Sequence, residues 1–377
     1  MDFRLTEEHV FIQDTIGAFL RRECPREKAH ALDQAGTIPT DLLRKIAGMG
    51  FCGLNVPESF GGGGQDMLGA SLVAEALAAV SPPLAVLYAG VTFTAGAVLS
   101  RLADDAQKAR YLPSVAVGTL AASALLGGPE TEPGVTGERT PDGFLLAGQA
   151  PFALLAEPAG LLIVQVQHED ASTFVLVPAD APGLQISPAE LVGMRGTGAV
   201  SVTFADVALG PESVLGGPAA VGQGVVQAET IAAIVRLARA AIALGLAQGA
   251  LNYAAGYARG RVQFGRPIAR FEAILHMLVD LTVDLQSARW LLHHACWLAD
   301  QKEPFALEAA MACLQAVELA RQAGLQGVQI LGGYGYMAEY DAARYMRDSL
   351  VLFNGGEPSP LLKNAIGDLA GLRESSE

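Results

Sequence analysis

Through the first 118 positions, apolar residues recur at helical spacing in short runs separated by prolines. Pro25, Pro39, Pro57 and the pair Pro82-Pro83 fall between these runs, where a missing N–H is tolerated; inside a helix it would break the ladder. Thr6-Glu7-Glu8-His9 predicts the start of the first helix: a threonine to cap it and two carboxylates to complement the positive end of its dipole. No charge occurs between Glu75 and Arg101, a stretch long enough to suggest a membrane span. Pro82-Pro83, the interspersed Ser and Thr, and the lack of basic flanks predict a buried core helix instead. After Gly118 the period changes. Segments 144–149, 161–167, 173–178, 184–187 and 200–204 are short, β-leaning and bounded by Gly, Pro and Asp, which predicts a small antiparallel sheet or barrel. From about Val221 the helical spacing returns. Residues 241–260 are rich in Ala and Gly, which lets helices approach closely, and Leu307, Met311, Leu314 and Val317 keep an apolar stripe at helix spacing. The expected fold is mainly α with a middle β domain: helical over 1–118, a small β-barrel over 119–218, and a helical bundle over 219–377.

Hydrophobic residues make up 51% of the 377 positions and charged residues 17%, enough apolar material for a large core and roughly two or three domains. So little charge also leaves apolar surface, which favours burial in an oligomer. The formal charge of -14 argues against nucleic acid or an anionic membrane as partner. An anionic ligand would need a local basic site, and Arg261 and Arg266 offer one. Cys24, Cys52, Cys296 and Cys313 are scattered without CxxC spacing, so neither a disulfide framework nor a zinc site is indicated and the reducing cytoplasm is the expected location. The opening MDFRLTEEH lacks the charged-then-apolar order of a signal peptide. His293, His294 and Cys296 lie close in sequence, yet neighbouring helix positions point about 100° apart and do not converge on one ion. They read as ordinary helix residues, and no metal is expected.

Residues 327–348, GVQILGGYGYMAEYDAARYMRD, carry more chemistry than any other stretch. A helix closes at Gly332-Gly333, where the absence of side chains lets backbone amides approach a phosphate. Residues 261–272, RVQFGRPIARFE, begin at an arginine that ends a long helix, and a guanidinium suits forked hydrogen bonds to pyrophosphate oxygens. The string from Gly333 to Ala338 also fits the loose GxGxxG/A dinucleotide pattern, but that fingerprint needs a strand before it and here a helix precedes it. The glycines at 61–64 are not followed by Gly-Lys-Ser/Thr, so they read as a surface turn rather than a phosphate loop.

These segments, in this order with MDFRLTEEHV, GFCGLNVPESFGGGG, QKARYLPSVAVG, FVLVPADAPGL and GMRGTGAVSVTFADV, resemble acyl-CoA dehydrogenases over nearly the whole chain. The resemblance implies an N-terminal helical domain, a middle β-barrel, a C-terminal four-helix bundle and an oligomer. It also implies FAD as cofactor, oxidation of an acyl-CoA thioester between Cα and Cβ, and an electron-transfer flavoprotein or similar acceptor. By similarity Arg261, Gln263 and Phe264 contact the flavin nucleotide. Gln329, Ile330, Leu331, Gly332 and Gly333 hold its phosphate and adenine end across a subunit interface, and Arg236 stands on the substrate side. Glu272 takes a place where the family often has glutamine, so at the adenine end it accepts hydrogen bonds without donating.

Three departures from the family pattern concern the reacting half of the site. A Thr-Glu-Pro-x-Ala-Gly-Ser-Asp loop is matched only after a shift, by residues 131–138, while an ungapped reading puts Gly127-Gly128-Pro129 at its start. A Trp-Ile-Thr segment is replaced by 151–154, in which Phe152 supplies an aromatic ring but no threonine hydroxyl follows. The family's glutamate base, counted from Arg347-Asp348, falls on Gly356, and its alternative place next to Arg236 is Val235. Glu357, one position later, is the expected base; Glu229 lies nearly two helical turns before Arg236, too far at about 1.5 Å rise per residue. An active dehydrogenase in a homo-oligomer or a hetero-oligomer is expected. The alternatives are a non-catalytic subunit that completes a partner's FAD site in a hetero-oligomer, and a dehydrogenase of acyl groups carried on a protein.

Overall fold

The computed structural model describes residues 4–127, 134–154, 159–169 and 171–372. Seven helices come first: α1 (Glu7–Glu23), α2 (Arg26–Ala35), α3 (Thr40–Ala47), α4 (Met67–Ala78), α5 (Pro82–Ala89), α6 (Val98–Leu102) and α7 (Asp105–Ala116). Thr6 caps α1 as expected, its hydroxyl accepting from the His9 N–H at 3.2 Å. Proline placement also agrees with the spacing argument: Pro25 and Pro39 precede α2 and α3, and Pro82 opens α5. The uncharged stretch folds as α4 and then a continuous rod from Pro82 to Leu102, in which a π-helix, Gly90–Ala97, joins α5 to α6. Its apolar window is 100% buried in the protein, so its hydrophobicity is that of a core helix. The glycine run at 61–64 closes on itself: the amides of Gly62, Gly63 and Gly64 donate to the carbonyls of Pro57, Gly53 and Val56.

Strands β1 (Ala122–Leu125), β2 (Val135–Thr140), β3 (Gly143–Ala153), β4 (Leu161–His168), β5 (Ala171–Pro178), β6 (Leu184–Pro188) and β7 (Val200–Leu209) form one sheet. Its order is β1-β4-β2-β3-β7-β6, with β5 paired to β4. The sheet is mixed rather than antiparallel. β1 runs parallel to β4, Ala122 opposite Leu161, because the chain leaves β1 and returns on the same side only after the β2–β3 hairpin. Val164, Val166, Val175, Val177, Val200, Val202 and Phe204 fill its core. Residues 128–133, which carry the first three positions of the shifted flavin-loop match, lie outside the described residues; the other five run into β2.

The rest is helical: α8 (Gly224–Gly260), α9 (Glu272–Asp300), α10 (Ala306–Leu331), α11 (Asp341–Asn354) and α12 (Ser359–Leu369). A two-strand hairpin, β8 (Val262–Gln263) with β9 (Arg266–Pro267), turns the chain from α8 into α9. Small residues set the spacing: a Cβ on Gly245 would come within 2.1 Å of the Glu75 carbonyl, so α8 lies directly against α4. At the end of α9, Asp300 accepts from the N–H groups of Met67 (2.7 Å) and Leu68 (3.1 Å), the unpaired donors at the start of α4. Burial pushes this carboxyl up to about 6 against the pull of those two bonds.

Candidate active site

The long helix α8 carries Arg236 and Arg239 one turn apart, so both guanidinium groups reach the same neighbour. That neighbour is the end of α11 and the segment after it, Gly355-Gly356-Glu357-Pro358. Arg236 grips Glu357 with two parallel bonds, Nε to Oε2 at 2.8 Å and Nη2 to Oε1 at 2.6 Å. The fork of a guanidinium matches the two oxygens of a carboxylate, which makes this the strongest class of side-chain hydrogen bond. Arg236 is 11% exposed and Glu357 29%. Arg239 donates instead to main-chain oxygens, those of Leu352, Phe353 and Glu357. Arg236 thus meets a carboxylate of its own chain, where sequence reasoning set it toward substrate.

Phe152, near the end of β3, reaches the same place. A Cβ on Gly355 would lie 3.4 Å from the Phe152 ring, so the sheet, α8 and the Glu357 loop converge and glycine is what lets them do so. Gly356 has φ 71° and nothing within 4 Å of where its Cβ would stand. A left-handed glycine bordering open space gives the loop room to present Glu357 in more than one orientation. The competing carboxylate is disqualified by position: Glu229 is exposed on α8, about 10 Å along the axis from Arg236 at 1.5 Å per residue. Val235 is partly buried against the main core.

The Arg347-Asp348 pair fixes α11, from which the loop departs. Asp348 accepts from the Met194 N–H at 2.5 Å, and Arg347 donates to the Val192 carbonyl (2.9 Å) and to Asp33 (3.1 Å). A Cβ on Gly193 would strike the Arg347 backbone at 2.3 Å, so segment 192–194 lies flat on α11. Complete burial pushes the Asp348 carboxyl up to about 6, opposed by the Arg344 charge.

The second group of expected residues gathers at the other end of α8. Arg261 follows the last helical residue, and Gln263, Phe264 and Gly265 form the β8–β9 turn, with Phe264 at φ 50° and 94% exposed. α10 ends at Leu331, and Gly332 turns the chain at φ 59°. The Arg261 guanidinium lies 5.7 Å from the Tyr334 ring, so the arginine and the glycine turn are neighbours although 71 positions apart. Added Cβ atoms on Gly332 and Gly333 meet nothing within 4 Å, which leaves open space above exposed backbone. Cationic arginine, outward glycines and free space suit a pyrophosphate. Gln329 is exposed, but Ile330 and Leu331 are buried in a cluster with Ala254, Ala258, Val328 and Ala342. Their side chains are core, so a contact from these two positions to a ligand would come from their backbone. Glu272 opens α9 on the surface and Arg266 stacks on Phe271 at 4.2 Å.

Arg236 lies within α8 and Arg261 just past its end, 25 residues on, about 37 Å along an ideal helix at 1.5 Å per residue. His293, His294 and Cys296 diverge: His293 sits edge-on to Trp290, His294 stacks on Trp297, and the Cys296 sulfur lies 3.1 Å from the Ser71 hydroxyl.

Comparison with known proteins matches residues 6–119 to the acyl-CoA dehydrogenase N-terminal domain and residues 222–359 to the acyl-CoA dehydrogenase C-terminal domain. A probable acyl-CoA dehydrogenase of Bacillus subtilis, YngJ, is 31% identical, with 97% of this chain and 98% of the relative covered. CarC, a subunit of the caffeyl-CoA reductase-Etf complex of Acetobacterium woodii, is 30% identical over 92% of this chain and 93% of its own. The structure of butyryl-CoA dehydrogenase from Megasphaera elsdenii superposes with a TM-score of 0.92 at 26% identity, covering 99% of this chain and 100% of that one.

Proposed function

The chain belongs to the acyl-CoA dehydrogenase family, and on that premise we propose that it is an FAD-dependent oxidoreductase that dehydrogenates an acyl-CoA thioester between Cα and Cβ, with Glu357 as the base. The observation that carries this reading is the Glu357 carboxylate held where β3, α8 and the end of α11 converge. When bound, the flavin supplies the acceptor for the β hydride. The chain's own task is to take the α proton, acidified by the thioester carbonyl, on a positioned carboxylate. Both Glu357 oxygens accept from Arg236, so substrate must turn a free lone pair toward Cα or displace part of the fork, and Gly355-Gly356 supplies the needed freedom. Phe152 packs beside this loop and supplies an aromatic face to the ring end of the site. Purified protein should show a flavin spectrum that an acyl-CoA bleaches; failure of every acyl-CoA to do so would sink the reading.

We propose further that one cofactor site is completed from two copies of the chain, with Arg261, Gln263, Phe264, Gln329, Gly332 and Gly333 serving the partner's nucleotide; the roughly 37 Å along α8 between Arg236 and Arg261 supports it. Support comes from the exposed apolar stripe of Leu275, Val279, Val283, Trp290 and Trp297 on α9, which leaves a broad face for self-association. Gly332→Val should damage both oligomer and FAD content, since a branched side chain at φ 59° is strained and fills the space the phosphates need. A stable monomer with full flavin would contradict this. We place the protein in the reducing cytoplasm on its four buried free cysteines, with an electron-transfer flavoprotein as acceptor.

One observation favours a second reading. A base locked by Arg236 suits a subunit that lends its nucleotide half to a catalytic partner in a hetero-oligomer. Flavin that appears only on co-expression with a second homologous chain would select that reading over the first.

A further inference from the structure

Arg239 bonds the main chain of the base loop at its far end. The final carbonyls of a helix lack partners within it, and at the end of α11 those of Leu352 and Phe353 accept from Arg239, at 2.6 Å and 3.3 Å to Nη2. The Nη1 group of the same arginine donates to the carbonyl of Glu357. Beyond the Gly355 N–H bond to Val351, neither Gly356 nor Glu357 pairs with another backbone group among the described residues, and Pro358 has no N–H to give. Two successive glycines leave this loop with more backbone freedom than any other pair of residues would. Arg236 acts at the carboxylate tip only, so it orients a side chain whose root is set elsewhere.

We propose that Arg239 is a positioning residue for the dehydrogenation: it anchors the Glu357 backbone to the end of α11, so that Arg236 and Arg239, one turn apart on α8, clamp the base loop at two points. This rests on Glu357 being the base. The arginine never touches substrate. It works through helix geometry, because position 239 faces the carbonyls of Leu352, Phe353 and Glu357 while Arg236 faces the carboxylate. The clamp also limits where Glu357 goes when the side-chain fork opens: the carboxylate swings, while the main chain stays in place.

The test compares Arg239→Met, which keeps length without donors, and Arg239→Lys, which can still reach one carbonyl, in the FAD-loaded oligomer. Amide hydrogen exchange of residues 352–358 should rise in the Met variant and fall back toward wild type in the Lys variant. kcat should drop by about ten- to a hundredfold in Met, the scale of an ångström-level misplacement, with KM changed much less and partial recovery in Lys. Unchanged exchange in the Met variant overturns the clamp. Raised exchange with kcat intact overturns the positioning role. A Met variant that fails to fold leaves the decision to Lys, whose exchange and kcat must then sit between wild type and inactive; wild-type values in both would reject the proposal. If Glu357→Gln keeps full turnover, the base assignment has failed, and exchange alone still decides whether Arg239 holds the loop.

Discussion

Removing Arg236 while leaving Glu357 is the sharpest perturbation of the pair. Arg236→Met keeps the length of the side chain and its packing in α8 but strips both donors from a carboxylate that accepts at 2.6 Å and 2.8 Å. Orphaning one member of a buried pair costs about 3–5 kcal/mol. Glu357 is 29% exposed, so water takes part of the load and the expected loss is about 2–3 kcal/mol. Glu357→Gln keeps an oxygen acceptor for Arg236 and should cost about 1–2 kcal/mol. The double variant has no charge left to orphan, so it should be more stable than the sum of the singles by about 1–2 kcal/mol. Urea unfolding suits the measurement because both tryptophans, Trp290 and Trp297, lie on α9 and report the C-terminal bundle. FAD and protein concentration must be fixed, since ligand and oligomer shift apparent stability by mass action. Single losses that add within about 0.3–0.5 kcal/mol would refute the pairing of these two groups.

Arg261→Ala should weaken FAD retention by about tenfold to a hundredfold, the worth of a charge-assisted bond of about 1.5–3 kcal/mol, without touching the chemistry at Glu357. The flavin-to-protein ratio after gel filtration checks it, and unchanged occupancy would remove the nucleotide site from this place. Asp300 sets a pH dependence: its folded carboxyl titrates at about 6 against 3.8 ordinarily, so between about pH 4 and 6 the folded state binds more protons than the unfolded one. Its contribution to stability therefore falls as pH rises through that window. Asp300→Asn should flatten the change in unfolding midpoint between pH 5 and pH 7, and an unaltered slope would show that this carboxyl does not titrate there.

Local signals carried much of the architecture. Thr6 acts as the cap its position suggests, the uncharged run at 76–100 is core, and α10 closes at Gly332, whose φ of 59° suits a residue without a Cβ. What could not be read locally depends on distant partners. β2 mixes charges into a strand, and β1 is four residues long and finds its parallel mate nearly 40 positions on, so neither shows a clear period. Ile330 and Leu331 share a motif with exposed neighbours, yet the period of α10 turns them into the core. Glu357 was legible as a candidate because it stands one place from the family's position. Its partner Arg236 is 121 residues away and the role of Arg239 lies in backbone oxygens, which no spacing in the sequence reveals.

Flavin reduction by substrate in wild type and Glu357→Gln, mixed with a series of acyl-CoA thioesters under anaerobic conditions, tests the assignment of chemistry most directly. The glutamine keeps the shape of the side chain and an acceptor for Arg236 but cannot take the α proton. Wild-type flavin that bleaches with at least one acyl-CoA, and a variant that retains FAD yet bleaches about 10² to 10⁴ times more slowly, is the expected result. A variant that bleaches as fast as wild type, or a wild-type flavin that no acyl-CoA of any length reduces, would contradict it.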